Sequence, residues 1–125
     1  MSTLKIALLA SCLALPVFAH EGEKHDEASE KGAVMSGELV DMGCYMIHEG
    51  KGKKHAKCAG ACVTGGAPLG LVTKDGKVYL VVGNHDDAKP FVEAKALAGS
   101  DAKITGTLIT RGGLTAIVVK KAEKL

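Results

Sequence analysis

Aromatic residues are scarce in this chain. There is no tryptophan, and the 125 residues include only two tyrosines and two phenylalanines. Proteins that bind single-stranded nucleic acid stack the bases on exposed aromatic side chains. So small an aromatic content argues against a stacking surface for bases or sugars.

An excess of charge of one sign is also missing. The chain has 16 Lys+Arg and 14 Asp+Glu, and a mature form without Lys5 would have 15 against 14. Nucleic acids and anionic membranes are usually bound by strongly basic surfaces. We therefore expect neither nucleic acid nor an anionic membrane surface as a partner.

Several catalytic and cofactor motifs are absent as well. The sequence has no CxxC pair of the thioredoxin type, no CxxCH for covalent haem attachment and no Ser/His/Asp constellation. From these absences we expect no enzyme activity.

The amino terminus has the features of a secretory signal peptide, residues 1–19. Lys5 gives a positive start, Ile6–Val17 is apolar, and the small residue Ala19 suits cleavage after it. The apolar run is too short for a membrane span, so we expect a periplasmic or secreted bacterial protein that is not transmembrane. The alternative is a lipoprotein, because Leu9-Ala10-Ser11-Cys12 resembles a lipobox and would lipidate Cys12.

Residues 20–33 are polar and charged, with almost nothing to bury. Such composition predicts a flexible tail. After cleavage His20 would carry a free amine beside its imidazole, with His25 nearby. These nitrogens could add a Cu(II) site.

The remaining residues, 34–125, are enough for one small domain. Asp75-Gly76 between two apolar, β-branched runs indicates a hairpin, and Gly37 and Gly106 permit sharp strand bends. The expected order is β-β-β-α-β-β, which is that of the five-stranded OB-fold barrel with one helix. The predicted elements are strands Met35–Gly43, Leu69–Thr73, Val78–Val82, Ala102–Thr110 and Leu114–Lys121, and a helix Asp87–Ala98.

A Cys/His-rich segment, residues 44–66, lies between the first and second strands. His55, Cys58 and Cys62 stand at i, i+3 and i+7, which on a helix lie within roughly 60° of one another. One short helix could direct all three at a single point, and Cys44 would close the site from the preceding strand end. His48 could replace His55 or add a ligand.

This residue set predicts a metal site with Cys44, His55, Cys58 and Cys62 as ligands. Three thiolates and an imidazole suit tetrahedral Zn²⁺, the expected ion, and soft thiolates also suit Cu(I). Nearby lysines (Lys51, Lys53, Lys54 and Lys57) are expected to lie in a solvated loop. The alternative is that they lower the thiol pKa values and favour the thiolate form. The protein would then be either an interaction module with a structural zinc site, whose partner is another periplasmic protein, or a soft-metal carrier.

Two alternatives remain open. An exported protein can form disulfides, so Cys58 and Cys62 could act as a thiol/disulfide redox pair, or Cys44 could pair with either. Because the mature chain would have three cysteines, one disulfide would leave the third cysteine unpaired. The other alternative is an OB-type module that binds a peptide or oligosaccharide, with purely structural cysteines.

The stretch VDMGCY…HAKCAGAC…GAPLGL resembles a group of small, exported bacterial proteins with an OB-fold-like domain. The resemblance implies the fold and the export of this chain. It implies no activity.

Overall fold

The computed structural model describes residues 31–125, so the predicted signal peptide, Cys12, His20 and His25 lie outside the described residues. The described part forms five strands and three helices. In chain order these are β1 Lys31–Asp41, α1 Met42–His48, α2 Ala56–Thr64, β2 Leu69–Thr73, β3 Val78–Val82, α3 Lys89–Ala96, β4 Asp101–Arg111 and β5 Leu114–Lys124.

The five strands close into one barrel in the order β1-β2-β3-β5-β4. The pairs are antiparallel except β3 with β5, which run parallel. β1 is long enough to pair twice, with β4 through Lys31–Glu38 and with β2 through Gly37–Asp41. This closed, OB-like barrel confirms the predicted five-stranded barrel.

The barrel interior is apolar because alternate residues of each strand point inward. The core consists of ten buried residues, and half-buried Phe91 and Leu97 from the α3 segment pack against it. These ten are Leu39, Val63, Leu69, Leu71, Val81, Ala94, Ala102, Ile104, Ile117 and Val119. Val63 comes from α2, so the Cys/His-rich segment is attached to the core through its own apolar face.

Two strand glycines lie where neighbouring backbones come close. A Cβ on Gly37 would be 2.3 Å from the carbonyl oxygen of Val72, and one on Gly106 would be 2.3 Å from that of Val118. The β4–β5 register shifts between Thr105 and Gly106, as at a β-bulge. Both positions therefore require glycine for barrel closure.

The prediction of a single helix is wrong, since residues 31–125 contain three. Two of them, α1 and α2, occupy the connection between β1 and β2, where the insertion was expected. α3 is the predicted helix but spans only Lys89–Ala96, because Asp87 accepts a hydrogen bond from the Lys89 N–H just ahead of it. β1 also begins earlier than Met35, because Lys31–Val34 pair with Thr105–Leu108 of β4.

Within residues 31–125, none of the helices combines the length and the apolar character needed to cross a bilayer.

Candidate metal centre

The site begins where β1 turns directly into α1 at Asp41. The Asp41 carboxylate accepts hydrogen bonds from the backbone N–H groups of Gly43 and Cys44, both at 3.0 Å. An aspartate at this position caps two free N–H groups and starts the helix. Cys44 therefore lies on α1 and not at a strand end, which corrects the expected origin of the first ligand.

The other ligands belong to α2 and its first turn. His55 is the N-cap residue of α2, without a side-chain capping bond, while Cys58 and Cys62 follow within the helix. Ala59 and Val63, each directly after a ligand cysteine, are buried and hold α2 against the barrel. The predicted helix for His55, Cys58 and Cys62 is thus present, and its packing directs the thiols toward α1.

The loop between α1 and α2 is held by its backbone. α1 ends at Glu49, which has left-handed backbone angles, and the Gly50 N–H donates to the carbonyl of Cys44 at 3.2 Å. Further along, the Gly52 N–H donates to the Glu38 carboxylate on β1. The loop therefore returns to the barrel and brings His55 back over Cys44.

The three thiols converge. Sγ of Cys58 and Sγ of Cys62 are 3.9 Å apart, and Sγ of Cys44 lies within 4.8 Å of each of them. A ring nitrogen of His55 lies within 4.8 Å of the sulfurs of Cys44 and Cys58. A tetrahedral ion with bonds of about 2.3 Å holds its sulfur ligands roughly 3.5–4 Å apart. This cluster of Cys44, His55, Cys58 and Cys62 could hold a metal ion.

The three cysteines are free thiols in the structure. The Cys58–Cys62 sulfur distance of 3.9 Å is far longer than the roughly 2.05 Å of a disulfide bond. The two sulfurs are in hydrogen-bond contact.

His55 provides evidence independent of the thiols. Its Nε2 atom is buried and has no hydrogen-bond partner among the described residues. Buried polar nitrogens almost always have a partner, and an exception calls for a physical explanation. A bound cation would supply one.

His48, the predicted additional ligand, is exposed at the end of α1. Its ring centroid is 5.1 Å from that of His55, in an edge-to-face arrangement. The structure therefore places His48 beside the cluster, but no metal-sized group within residues 31–125 includes it.

Asp41 is a site residue that the sequence analysis missed. Its side chain is buried, and one of its oxygens lies within 4.8 Å of the sulfurs of Cys44 and Cys62. The signal was present in the sequence, because Asp directly before a short apolar segment is a typical helix start. The sequence analysis missed this helix start because it extended the first strand through Gly43.

The acid–base properties of the site follow from this contact. The hydrogen bond to Asp41, followed by burial and the contact with Cys58, raises the pKa of the Cys44 thiol to about 12. Burial raises the pKa of Asp41, but the hydrogen bonds from Cys44 and Gly43 outweigh burial and hold it below 3.8. The hydrogen bond with Cys58, together with burial, raises the pKa of Cys62. Without a cation, the site favours neutral thiols at Cys44 and Cys62.

The lysines around the site stay in solvent. Lys51, Lys53, Lys54 and Lys57 are all exposed, and none takes part in an ion pair within residues 31–125. The expected solvated loop is therefore present. The alternative, that these lysines lower the thiol pKa values of Cys44 and Cys62, is wrong, because contacts with Asp41 and Cys58 raise both.

Comparison with known proteins adds no family to this description, since no family model, curated protein or solved structure matches the chain.

Proposed function

We propose that this chain is an exported metal-binding protein that holds a soft or borderline cation through Cys44, His55, Cys58 and Cys62. The observation that carries the proposal is the meeting of three free sulfurs with a histidine whose buried Nε2 has no partner. Zn²⁺ is the expected ion and Cu(I) the alternative, because both accept thiolate and imidazole ligands. Export rests on the signal-like residues 1–19.

Between a structural site and a carrier, the exposure of Cys58 favours the carrier. A structural zinc ion is enclosed by its ligands, whereas Cys58 is exposed. The segment also has packing of its own, through buried Ala59 and Val63. An ion here is therefore reachable from solvent, and the barrel does not depend on it for its core.

The thiol/disulfide alternative is favoured by the Cys58–Cys62 sulfur distance of 3.9 Å alone. A redox pair needs a nucleophilic thiolate near neutral pH. The raised pKa of Cys62, caused first by its hydrogen bond with Cys58, works against that role. A metal ion instead displaces thiol protons as it binds.

The test is elemental analysis of protein purified from the periplasm without chelators, with thiols counted before and after reduction. We expect about one equivalent or more of zinc or copper and three thiols that need no reductant. A Cys58–Cys62 or Cys44–Cys62 disulfide with no stoichiometric metal would replace the metal proposal with the redox alternative.

A second measurement separates carrier from structural site. Transfer of the bound ion to an excess of a coloured chelator should be complete within minutes for a carrier, while the far-ultraviolet circular dichroism stays constant. Unfolding that accompanies loss of the ion would favour the structural role.

A further inference from the structure

The cluster contains two overlapping groups of ligands. Cys44, His55 and Cys58 form one metal-sized group, and Asp41, Cys44 and Cys62 form the other. Cys44 belongs to both. Its sulfur lies within 4.8 Å of the ligand atoms of His55 and Cys58 and also of those of Asp41 and Cys62.

With all its acidic groups ionised, this arrangement could balance the charge of more than one cation. Three thiolates and the Asp41 carboxylate would carry four negative charges, and none of the ion pairs within residues 31–125 involves Asp41. Asp41 is only 2% exposed, so its charge is removed from solvent. Buried anions are costly unless cations or hydrogen bonds compensate them. One divalent ion would leave two negative charges, while two divalent ions would neutralise all four.

Asp41 also has room for a cation. A carboxylate offers about four acceptor positions. Two are taken by the N–H groups of Gly43 and Cys44. The remaining positions are open, and one Asp41 oxygen lies within 4.8 Å of the sulfurs of both Cys44 and Cys62. A cation placed among these three atoms could therefore be bound by the carboxylate as well as by the two sulfurs.

We propose that the site holds two soft or borderline cations side by side, bridged by the Cys44 thiolate. His55 and Cys58 complete the ligands of the first ion, and Asp41 and Cys62 complete those of the second. This inference rests on the proposed metal-binding function and adds the number of ions and the role of Asp41.

The experiment uses Cd²⁺ as probe, because it binds thiolate ligands and ¹¹³Cd resonances report each ion separately. The full chain would carry His20→Ala and His25→Ala, so that the tail histidines add no ion. Native mass spectrometry counts the ions. We expect two per chain, and two ¹¹³Cd resonances with scalar coupling through the shared sulfur.

The decisive variant is Asp41→Asn, which keeps a residue able to cap α1 but removes the charge. We expect one ion and a single uncoupled resonance. Asp101→Asn, at an exposed carboxylate elsewhere on the barrel, is the matched control and should keep two ions. If Asp41→Asn fails to fold, Cys62→Ser serves instead and should also lose one ion.

The outcomes separate the two proposals. One ion in the unsubstituted site overturns the bridged pair and leaves metal binding intact. No ion overturns both. Two ions that persist in Asp41→Asn and in Cys62→Ser, or two resonances without coupling, also overturn the bridged arrangement.

Discussion

Gly50 and His55 are in such close contact that a Cβ on Gly50 would lie 2.7 Å from Nε2 of His55 and 3.0 Å from Cβ of Cys44. The glycine thus leaves the space in which imidazole and thiol meet. Gly50→Ala should displace His55 and weaken metal affinity by roughly 10–100-fold, as loss of a supporting contact commonly does. Competition with a chelator of known affinity measures this.

Gly60→Ala is the control for that substitution. Gly60 lies within α2, and a Cβ there meets nothing within 4 Å. Alanine is better than glycine in a helix interior by about 0.8–1 kcal/mol. The variant should therefore be slightly more stable, with unchanged metal affinity. Equal loss of affinity in both variants would show that Gly50 has no specific role.

Cys58→Ser should lower metal affinity by more than the roughly 10–100-fold expected for a supporting residue, since it removes a thiolate ligand. Cys58 is exposed and outside the core, so the far-ultraviolet circular dichroism should stay nearly unchanged. Ala61→Ser places a hydroxyl on the same helix at another exposed position and should keep full affinity. Unchanged affinity in Cys58→Ser would remove this residue from the ligands.

Much of the barrel was predictable because its signals are local. β2 and β3 were predicted with the bounds that they have in the structure, since two short apolar runs flank a turn with Gly76 at φ 80°. The parallel pairing of β3 with β5 follows from barrel closure and not from any local pattern. The sequence analysis did not predict it.

The sequence predicted the four candidate ligands but not how they are arranged. The spacing of His55, Cys58 and Cys62 placed them together on one helix, as the structure shows. The helix that carries Cys44 was missed because it has only seven residues and none of them is buried, so its sequence carries no periodic pattern of core positions. The contribution of Asp41 depends on a tertiary contact with Cys62, which sequence spacing does not encode.

Gly106→Ala should destabilise the barrel, because the new Cβ would lie 2.3 Å from the Val118 carbonyl oxygen and 2.8 Å from Cγ1 of Ile117. Overpacking of this kind costs about 1–3 kcal/mol in free energy of unfolding, measurable by urea denaturation. Gly32→Ala, where a Cβ meets nothing within 4 Å, should be neutral. Equal stability of the two variants would contradict the close approach of β4 and β5.

Glu123 should make stability depend on acid pH. Its carboxylate pairs with Lys121 at 3.0 Å and Lys103 at 3.3 Å, and these hydrogen bonds hold its pKa below the ordinary 4.5. A lowered folded-state pKa contributes stability above pH 4.5 that is lost as the pH falls through the folded value. The effect is small, because the pair is partly exposed and screened by solvent.

Glu123→Gln should therefore lower the free energy of unfolding at pH 7, and the difference from the unsubstituted protein should shrink toward pH 3. Urea denaturation at both pH values measures it. A difference that is the same at both pH values would show that the charge of Glu123 contributes nothing.

Removal of the metal should loosen one part of the chain only. The loop from Glu49 to Lys54 is mostly exposed and contains Gly50 and Gly52, so it buries too little apolar area to offset the entropy of ordering. α2 retains buried Ala59 and Val63, and the barrel retains its own core. Chelation should therefore speed amide hydrogen exchange most in residues 49–57, less in α2 and least in the strands. The Gly50 N–H, which donates to the carbonyl of Cys44, is the most direct reporter. Uniform acceleration across the barrel would mean that the ion holds the whole fold together, and unchanged exchange in the loop would mean that it orders nothing there.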